Sequence, residues 1–240
     1  MSMNNQALIA KADSPKMFNA IARRYDILNY ILSFGMDIGW RRKLAGFVPA
    51  GINLRVLDIA TGTGDVAIAL AKANPTVQEV VGADLSEEML ALGRIKVEHR
   101  GLAGKIRLGK ADALALPFKE ASFDVVTVAF GLRNMPDLMK ALGEAYRVLK
   151  PGGRFIVLEF SKPSGIAAPF HALYLHGLVP VIGFLLTGNY QAYRYLSRTV
   201  GEFPFGERFQ RIIRQVGFAN VQRHDLSLGA AMIYIAEKKS

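Results

Sequence analysis

The stretch VLDIATGTGD, which runs from Val56 to Asp65, decides how the rest of the chain is interpreted. Its first half is apolar and predicts a buried β-strand, Gly62 and Gly64 predict a sharp turn, and the apolar run that follows predicts a helix. Glycine lets the backbone approach a ligand closely, and the free N–H groups at the start of a helix face the same space. This strand–turn–helix unit therefore predicts a nucleotide-binding site that includes Gly62 and Gly64.

The next predicted strand, EVVGADL, places a carboxylate at Asp84, 20 residues after Gly64. A carboxylate at this spacing suits the ribose hydroxyls of an adenosine-type cofactor. With Ala67, the loop also fits the G-x-G-x-x-A form of a dinucleotide site. The loop alone therefore leaves the class of cofactor open.

The composition limits the class of protein. The chain has 240 residues, 51% of them hydrophobic, which suffices for the core of one large α/β domain. A formal net charge of +10 favours contact with nucleic acid or an anionic membrane surface, and a merely basic enzyme surface explains it equally well. The absence of cysteine excludes disulfides, thiol nucleophiles, zinc–cysteine sites and iron–sulfur clusters, and is consistent with a reducing cytoplasm. We expect no secretion signal, because the N-terminal residues lack an apolar core.

Strands and helices alternate from the glycine turn onward. Further strands are predicted at 106–113, 122–131 and 154–160, and a proline and two glycines at 151–153 predict the end of the preceding helix. The segments ANVQRHDLS and AAMIYIAEKK predict two more strands that form a hairpin. The pattern therefore predicts an α/β fold with a Rossmann-like, doubly wound, mostly parallel sheet and an antiparallel closing hairpin.

Several polar residues follow the predicted strands directly. Because ligands of open parallel sheets bind beyond the carboxyl ends of the strands, we expect Asp65, Asp84, Asp112 and Arg133 to converge at one edge. Asp58 lies inside the first strand, and we interpret it mainly as a structural acid that orients the glycine loop from behind.

Two segments outside the alternating core are predicted to cover this edge. Apolar residues at three- and four-residue spacing predict a helix within Lys16–Leu44, interrupted at Gly35 and Gly39. Residues 166–187 are almost uncharged, but their prolines, histidines and glycines favour a helical flap over an apolar pocket rather than a membrane span. We predict one domain, 1–240, made of an N-terminal helical lid (1–50), a cofactor-binding core (51–160), a substrate-covering helical insertion and helix (161–218) and closing strands (219–240).

Trp40, the only tryptophan, directly precedes the basic residues Arg41, Arg42 and Lys43. An aromatic ring beside a basic cluster is typical of a membrane interface. The alternative interpretation is a solvated helix end packed by one tryptophan.

Four motifs in order resemble the Rossmann-like S-adenosylmethionine methyltransferases: VLDIATGTGD, GADLS, KADALALPF with SFDVV, and ALGEAYRVLKPGGRFIVLEF. A narrower resemblance covers nearly the whole chain. The segments YDILNYILSFGMDIGWRR, FGLRNMPD, LEFSKP and YRYLSRTVGEFP resemble the menaquinone and ubiquinone biosynthesis C-methyltransferases, and FGLRN is the most specific of them. That family methylates a ring carbon of a prenylated benzoquinol or naphthoquinol. Ala129 departs from the family pattern, in which some members have serine.

The resemblance implies S-adenosylmethionine as cofactor and S-adenosylhomocysteine as product. It implies that the cofactor is held by Thr63, Asp84, Asp112 and Ala113. Asp84 would bind the ribose hydroxyls and Asp112 would approach the adenine amino group. No metal site is expected.

Candidate catalytic residues follow from the chemistry of the implied reaction. Arg133 and Asn134 are the candidates for binding the quinol oxygen, since an arginine stays charged and favours a phenolate. The alternative for Arg133 is an ion pair with a neighbouring acid. Tyr25 and Asn29, one helical turn apart, are candidates to close over the pocket, with core packing and helix capping as the equal alternative.

The resemblance also implies a lipophilic quinol as partner, and we expect a cytoplasmic protein in transient contact with the inner face of the membrane. No nucleic acid is expected. The type of quinol ring, the tail length, the proton acceptor and the oligomeric state, including a homo-oligomer, stay open. The competing functions are methylation of another apolar acceptor such as a sterol or fatty acyl group, a nicotinamide-dependent oxidoreductase, and a basic nucleic-acid-binding module.

Overall fold

The computed structural model describes residues 11, 13–163, 173–174, 177 and 190–240, and within 190–196 it describes a side chain only at Tyr195. Most of the flap predicted at 166–187, with His171 and His176, lies outside the described residues. Within the described ranges, no helix is both long enough and apolar enough to cross a membrane.

The chain builds one seven-stranded sheet in the order β3-β2-β1-β4-β5-β7-β6. Strands β1 to β5 are parallel, and β7 runs antiparallel to both of its neighbours, β5 and β6. The strands are β1 Leu54–Ile59, β2 Val77–Asp84, β3 Ile106–Lys110, β4 Phe123–Ala129, β5 Leu149–Phe160, β6 Ala219–Leu226 and β7 Ala231–Glu237. The predicted mostly parallel sheet with an antiparallel closing hairpin is confirmed. The hairpin departs from the 3-2-1-4-5-6 order typical of dinucleotide-binding sheets.

The described helices are α1 Ser14–Leu32, α2 Met36–Ala45, α3 Asp65–Ala73, α4 Glu87–His99, α5 Leu138–Val148, α6 Tyr190–Glu202 and α7 Glu207–Val216. Of the two interruptions predicted in the N-terminal helix, Gly35 separates α1 from α2 in a left-handed conformation, with φ 73°. The prediction for Gly39 was wrong, because it lies inside α2. Residues 151–153 do not end a helix either: α5 already ends at Val148, and β5 begins at Leu149.

Alternation along the strands produces one apolar core on each face of the sheet. Val56, Val80 and Val125 are fully buried on the face covered by α2 and α3. Leu57 and Val126, their neighbours along the strands, are fully buried on the face covered by α5 and α7. This arrangement confirms the doubly wound fold.

The loops after β1 and β4 touch each other where the strand order reverses. Ala60 and Phe130 follow these strands with φ 54° and φ 57°, left-handed conformations that are uncommon for residues with a side chain. A Cβ atom at Gly131 would lie only 2.6 Å from the Cβ of Ala60, so this position requires glycine. Strained backbone of this kind is concentrated at functional sites, and open α/β sheets bind ligands at such a reversal.

Asp58 fixes the start of the glycine loop from within the core. It is 1% exposed and accepts hydrogen bonds from the hydroxyls of Thr127 on β4, at 2.6 Å, and Thr61 in the loop, at 2.7 Å. Burial raises the pKa of Asp58 to about 6, although the two hydroxyl bonds act in the opposite direction. The predicted structural role agrees with these contacts.

We predict that Asp58→Asn changes how stability depends on pH. The folded protein holds the Asp58 proton more tightly than the unfolded chain, in which an aspartate has a pKa of about 3.9. The contribution of Asp58 to the free energy of unfolding therefore falls as pH rises from about 4 to about 6, by on the order of 3 kcal/mol, and is constant above that range. Thermal unfolding should show the stability of wild type relative to Asp58→Asn decreasing across this range. Asp225→Asn, on an exposed part of β6, is the control and should show no such change. A constant difference between wild type and Asp58→Asn would contradict the prediction.

Candidate functional site

Two cavities meet at the carboxyl edge of the sheet. The first, here called the glycine-loop cleft, lies between the glycine turn and the ends of β2, β3 and β4. The second, here called the apolar cavity, has a volume of about 190 Å³ and lies beneath α1 and α2. They share a wall made of Phe18, Tyr25, Phe130 and Asn134. A ligand in one can therefore lie against a ligand in the other.

Asp84 organises the glycine-loop cleft. One of its carboxylate oxygens accepts the N–H of Gly62 at 2.8 Å, and the other accepts the N–H of Ser86 at 2.9 Å. Burial raises the pKa of Asp84, and these backbone hydrogen bonds lower it in part. Gly62 has φ 56°, and a Cβ atom there would meet no protein atom within 4 Å, so the cleft is open beside it. A buried acceptor beside an open glycine fits an adenosine-type cofactor.

Asp112 and Ala113 line the same cleft just beyond β3. The Asp112 carboxylate accepts the N–H of Leu114 at 2.8 Å, which fixes the turn, and the side chain is exposed to the cleft. Of the six predicted cofactor-binding residues, the cleft therefore brings together four: Gly62, Asp84, Asp112 and Ala113.

Thr63 and Gly64 do not line the glycine-loop cleft. The buried Thr63 hydroxyl donates to Asp26 at 2.6 Å and accepts from Lys96 at 3.0 Å, so its hydrogen bonds are used inside the protein. Gly64 adopts a left-handed conformation, φ 80°, at the start of α3 and lies against Leu108. These protein contacts of Thr63 and Gly64 support the turn, and the predicted contact of the two residues with the cofactor stays a prediction.

A polar network connects α1 to the helices of the core. Lys96 of α4 forms ion pairs with Asp26 of α1, at 2.7 Å, and with Asp65 at the start of α3, at 2.6 Å. Further along the cleft, the Ser86 hydroxyl donates to the side chain of Asn19 on α1. These contacts hold α1 over both cavities.

The predicted membrane interface at Trp40 and Arg41 was wrong, because both side chains are buried. Trp40 is 6% exposed, lines the apolar cavity and donates its indole N–H to the Ser227 hydroxyl at 3.0 Å. Arg41 is 9% exposed, pairs with Asp37, and lies 3.6 Å from a carboxylate oxygen of Asp65. Only Arg42 and Lys43 of the basic cluster are exposed.

Arg133 and Asn134 bring polar atoms to the apolar cavity. Both side chains are buried and line it, and neither Arg133 Nε nor Asn134 Oδ1 has a hydrogen-bond partner among the described residues. Arg133 also forms the ion pair that was the alternative interpretation, with Glu159 at 2.7 Å. Buried polar atoms are rarely left without partners, so these two indicate the place of a polar ligand atom.

Sequence reasoning missed two residues of this region. Tyr195 lines the apolar cavity, and its side chain is buried. Burial raises the pKa of Tyr195, and the nearby positive charge of Arg133 lowers it in part. Glu159 lies behind the cavity wall. Both were inside quoted motifs, YRYLSRTVGEFP and LEFSKP, but no periodicity or spacing marked them as functional.

Comparison with known proteins gives a family match over nearly the whole chain. The model of the ubiE/COQ5 methyltransferase family matches residues 6–238.

Two relatives are similar over most of their own length. A demethylmenaquinone methyltransferase of Thermus thermophilus is 47% identical over 92% of this chain and 100% of its own. A ubiquinone/menaquinone biosynthesis C-methyltransferase UbiE of Geotalea daltonii is 45% identical over 93% of this chain and 95% of its own.

A solved structure of a SAM-dependent methyltransferase from Thermotoga maritima has the same fold, with a TM-score of 0.65 at 21% identity, covering 92% of this chain and 100% of that one. At this identity the likeness concerns the fold alone.

We predict that substitution of Asp84 weakens binding of S-adenosylhomocysteine. Ribose hydroxyls would lose a charged acceptor, and hydrogen bonds to charged groups contribute about 1.5–3 kcal/mol each. Calorimetric titration should show at least about tenfold weaker binding for Asp84→Asn. The loss should be larger for Asp84→Ala, which also removes the acceptor of the Gly62 and Ser86 N–H groups.

Asp124→Asn is the matched control for this titration. Asp124 lies at the amino end of β4, where it pairs with Lys150. The Asp124→Asn variant should therefore bind S-adenosylhomocysteine as tightly as wild type does. An unchanged dissociation constant in both Asp84 variants would remove Asp84 from the site.

Proposed function

The chain belongs to the ubiE/COQ5 methyltransferase family, and we propose that it transfers a methyl group to a ring carbon of a prenylated quinol. Family and relatives make it an S-adenosylmethionine-dependent C-methyltransferase of quinone biosynthesis. The main observation in support of a quinol substrate is the apolar cavity, which shares a wall with the glycine-loop cleft. Arg133 and Asn134 line this cavity, and each has a polar atom without a hydrogen-bond partner among the described residues.

Residues of the glycine-loop cleft would hold the cofactor. Asp84 would accept hydrogen bonds from the ribose hydroxyls, Gly62 would leave room for the cofactor, and Asp112 and Ala113 would lie on the adenine side. Thr63 and Gly64 would shape the turn from behind. S-adenosylmethionine supplies an electrophilic methyl group when it is bound. Because Phe18 and Tyr25 belong to both cavities, they would align the ring carbon with that group.

The chemistry requires an electron-rich ring carbon. A quinol hydroxyl has a pKa of about 10, so the site must favour its ionised form. The Arg133 guanidinium would donate to the phenolate oxygen, with Asn134 beside it. The ring carbon would then form the new carbon–carbon bond as the bond between the methyl group and sulfur breaks, with S-adenosylhomocysteine as the leaving group. Loss of the proton on that ring carbon to water would restore the aromatic ring.

The size and lining of the apolar cavity support a ring substrate. Its volume of about 190 Å³ exceeds the roughly 150 Å³ of an apolar cavity that binds benzene. Aromatic side chains surround it, with Trp40, Phe130 and Phe160 within 4.4–6.3 Å of one another by ring centroids. Tyr25, on the shared wall, would close over the ring.

We predict that the protein methylates short-tail quinols. Reduced naphthoquinol and benzoquinol, each lacking the ring methyl group, would be incubated with isotopically labelled S-adenosylmethionine, and the product mass would show which ring gains the labelled methyl group. Asp84→Ala serves as the inactive control. Binding of S-adenosylhomocysteine without labelled product from either ring would contradict quinol methylation and favour another apolar acceptor, such as a sterol or fatty acyl group.

A surface near the apolar cavity supports contact with a membrane, from which a prenylated substrate must be collected. An exposed apolar stripe continues from α1 into α2, its members 37–72% exposed, and consists of Ile27, Tyr30, Ile31, Phe34 and Ile38. Phe34 also lines the apolar cavity. Exposed Arg23 precedes the stripe by one helical turn, and Arg42 and Lys43 follow it. Apolar side chains flanked by basic ones suit an anionic lipid surface.

We predict that Ile27→Gln combined with Phe34→Asn weakens binding to anionic vesicles. The asparagine is chosen because Phe34 has φ 51°, a conformation that asparagine tolerates. Loss of two inserted apolar side chains should lower vesicle binding at least about tenfold in a sedimentation assay at low salt, with cofactor affinity unchanged. High salt should release the wild type, because each basic residue contributes about 1 kcal/mol only while it is unscreened.

Ile52→Gln is the matched control, since Ile52 is 86% exposed but precedes β1 at the opposite edge of the sheet. Equal sedimentation of the double variant and wild type would rule out the stripe as the docking surface.

A further inference from the structure

The guanidinium of Arg133 is held from one side only. Its Nη1 donates to Glu159 at 2.7 Å and to the backbone carbonyl of Phe130, and the group lies 5.1 Å from the ring centroid of Phe160. Within the part of the chain that the structure describes, its Nε has no hydrogen-bond partner. The protein thus holds the guanidinium through Nη1, while the Arg133 side chain lines the apolar cavity.

Glu159 directs its carboxylate at this one arginine. The side chain is 1% exposed and lines neither cavity. One carboxylate oxygen accepts from Arg133 Nη1 and from the N–H of Phe160 at 3.0 Å, and the other lies 3.4 Å from the N–H of Arg133. The Glu159 carboxylate therefore accepts hydrogen bonds from both the backbone and the side chain of Arg133. Its other hydrogen bond is to the N–H of Phe160, the next residue in the chain.

A buried ion pair of this kind contributes little to the stability of the folded protein. The cost of removing two charges from water is often as large as their attraction, and apolar side chains of similar size do as well or better. An arginine side chain has several rotatable bonds, and holding it in one orientation before the ligand arrives removes an entropic cost from binding and from the reaction. The position of Glu159, behind a residue that lines the cavity, fits this second role.

We propose that Glu159 is a positioning residue that holds the Arg133 guanidinium in place beside the apolar cavity, so that it faces the oxygen of the acceptor ring. This proposal rests on the proposed quinol methylation for the identity of that oxygen. Glu159 itself touches no substrate; it acts through Arg133.

A double-mutant cycle in turnover tests the proposal. Glu159→Gln should lower kcat for the short-tail quinol by about 10- to 100-fold, the range of one hydrogen bond to a charged group, while the dissociation constant of S-adenosylhomocysteine stays unchanged. In an Arg133→Met background the same substitution should have no further effect on kcat, because Glu159 acts through the residue already removed. Glu159→Asp, which keeps the charge on a shorter side chain, should restore part of the loss.

The control is Glu144→Gln. Glu144 pairs with Arg147 through two contacts, at 2.7 and 2.8 Å, outside both cavities, and its substitution should leave kcat unchanged. A full kcat in Glu159→Gln, or an equal loss in the wild-type and Arg133→Met backgrounds, would overturn the positioning role. Should Glu159→Gln not fold, as judged by circular dichroism, the cycle is run with Glu159→Asp and the same two outcomes decide.

A binding measurement separates this proposal from the proposed function. 4-Nitrophenolate, which absorbs visible light, offers a phenolate oxygen to Arg133 and needs no methyl transfer. Its affinity should fall by a similar factor in Arg133→Met and Glu159→Gln and no further in the double variant. That result would support the Glu159 role even if neither quinol is methylated, whereas unchanged affinity in Glu159→Gln would overturn it even in an enzyme that methylates quinols.

Discussion

The close contact of two loops at the carboxyl edge of the sheet is the constraint on which the site depends. Gly131 lies against Ala60, and both Ala60 and Phe130 adopt left-handed conformations to make this approach. The approach places Phe130 in the wall between the cleft and the cavity. The backbone carbonyl of Phe130 accepts a hydrogen bond from the Arg133 side chain. A larger residue at position 131 would separate the loops and with them the two binding spaces. Strained backbone is thus concentrated where the two ligands must meet.

Charged side chains surround this contact, and the protein pairs them across elements that are distant in sequence. Lys96 joins α1 to the start of α3, and Glu159 of β5 holds Arg133 after β4. Loss of one partner from the buried pair of Arg133 and Glu159 leaves an uncompensated charge away from water, which is costly. The pairs therefore specify how the helices over the site are placed, in addition to whatever stability they contribute.

The sequence predicted best those features of the site that depend on local backbone structure. The glycine turn, the alternating strands and Asp84 were all predictable, because turn chemistry and strand ends are local properties. The hydrogen bonds of the Thr63 hydroxyl could not be predicted, since its partners Asp26 and Lys96 lie 37 and 33 residues away along the chain. Trp40 looked like a surface anchor because basic residues follow it, and only the tertiary contact with the turn at Ser227 explains its burial. No local pattern marks Glu159 as functional, because its partner Arg133 lies 26 residues away along the chain.

The shared wall has a consequence for the kinetics of turnover. Phe18 and Tyr25 belong to one helix, α1, and each contacts both binding spaces. A displacement of α1 that frees one ligand therefore uncovers the other, so release of the methylated lipid and exchange of the spent cofactor share one opening motion. The same helix carries apolar side chains on its outer surface. The proposed docking of that surface on a bilayer would therefore couple the opening of α1, and with it product release, to the lipid that the surface touches.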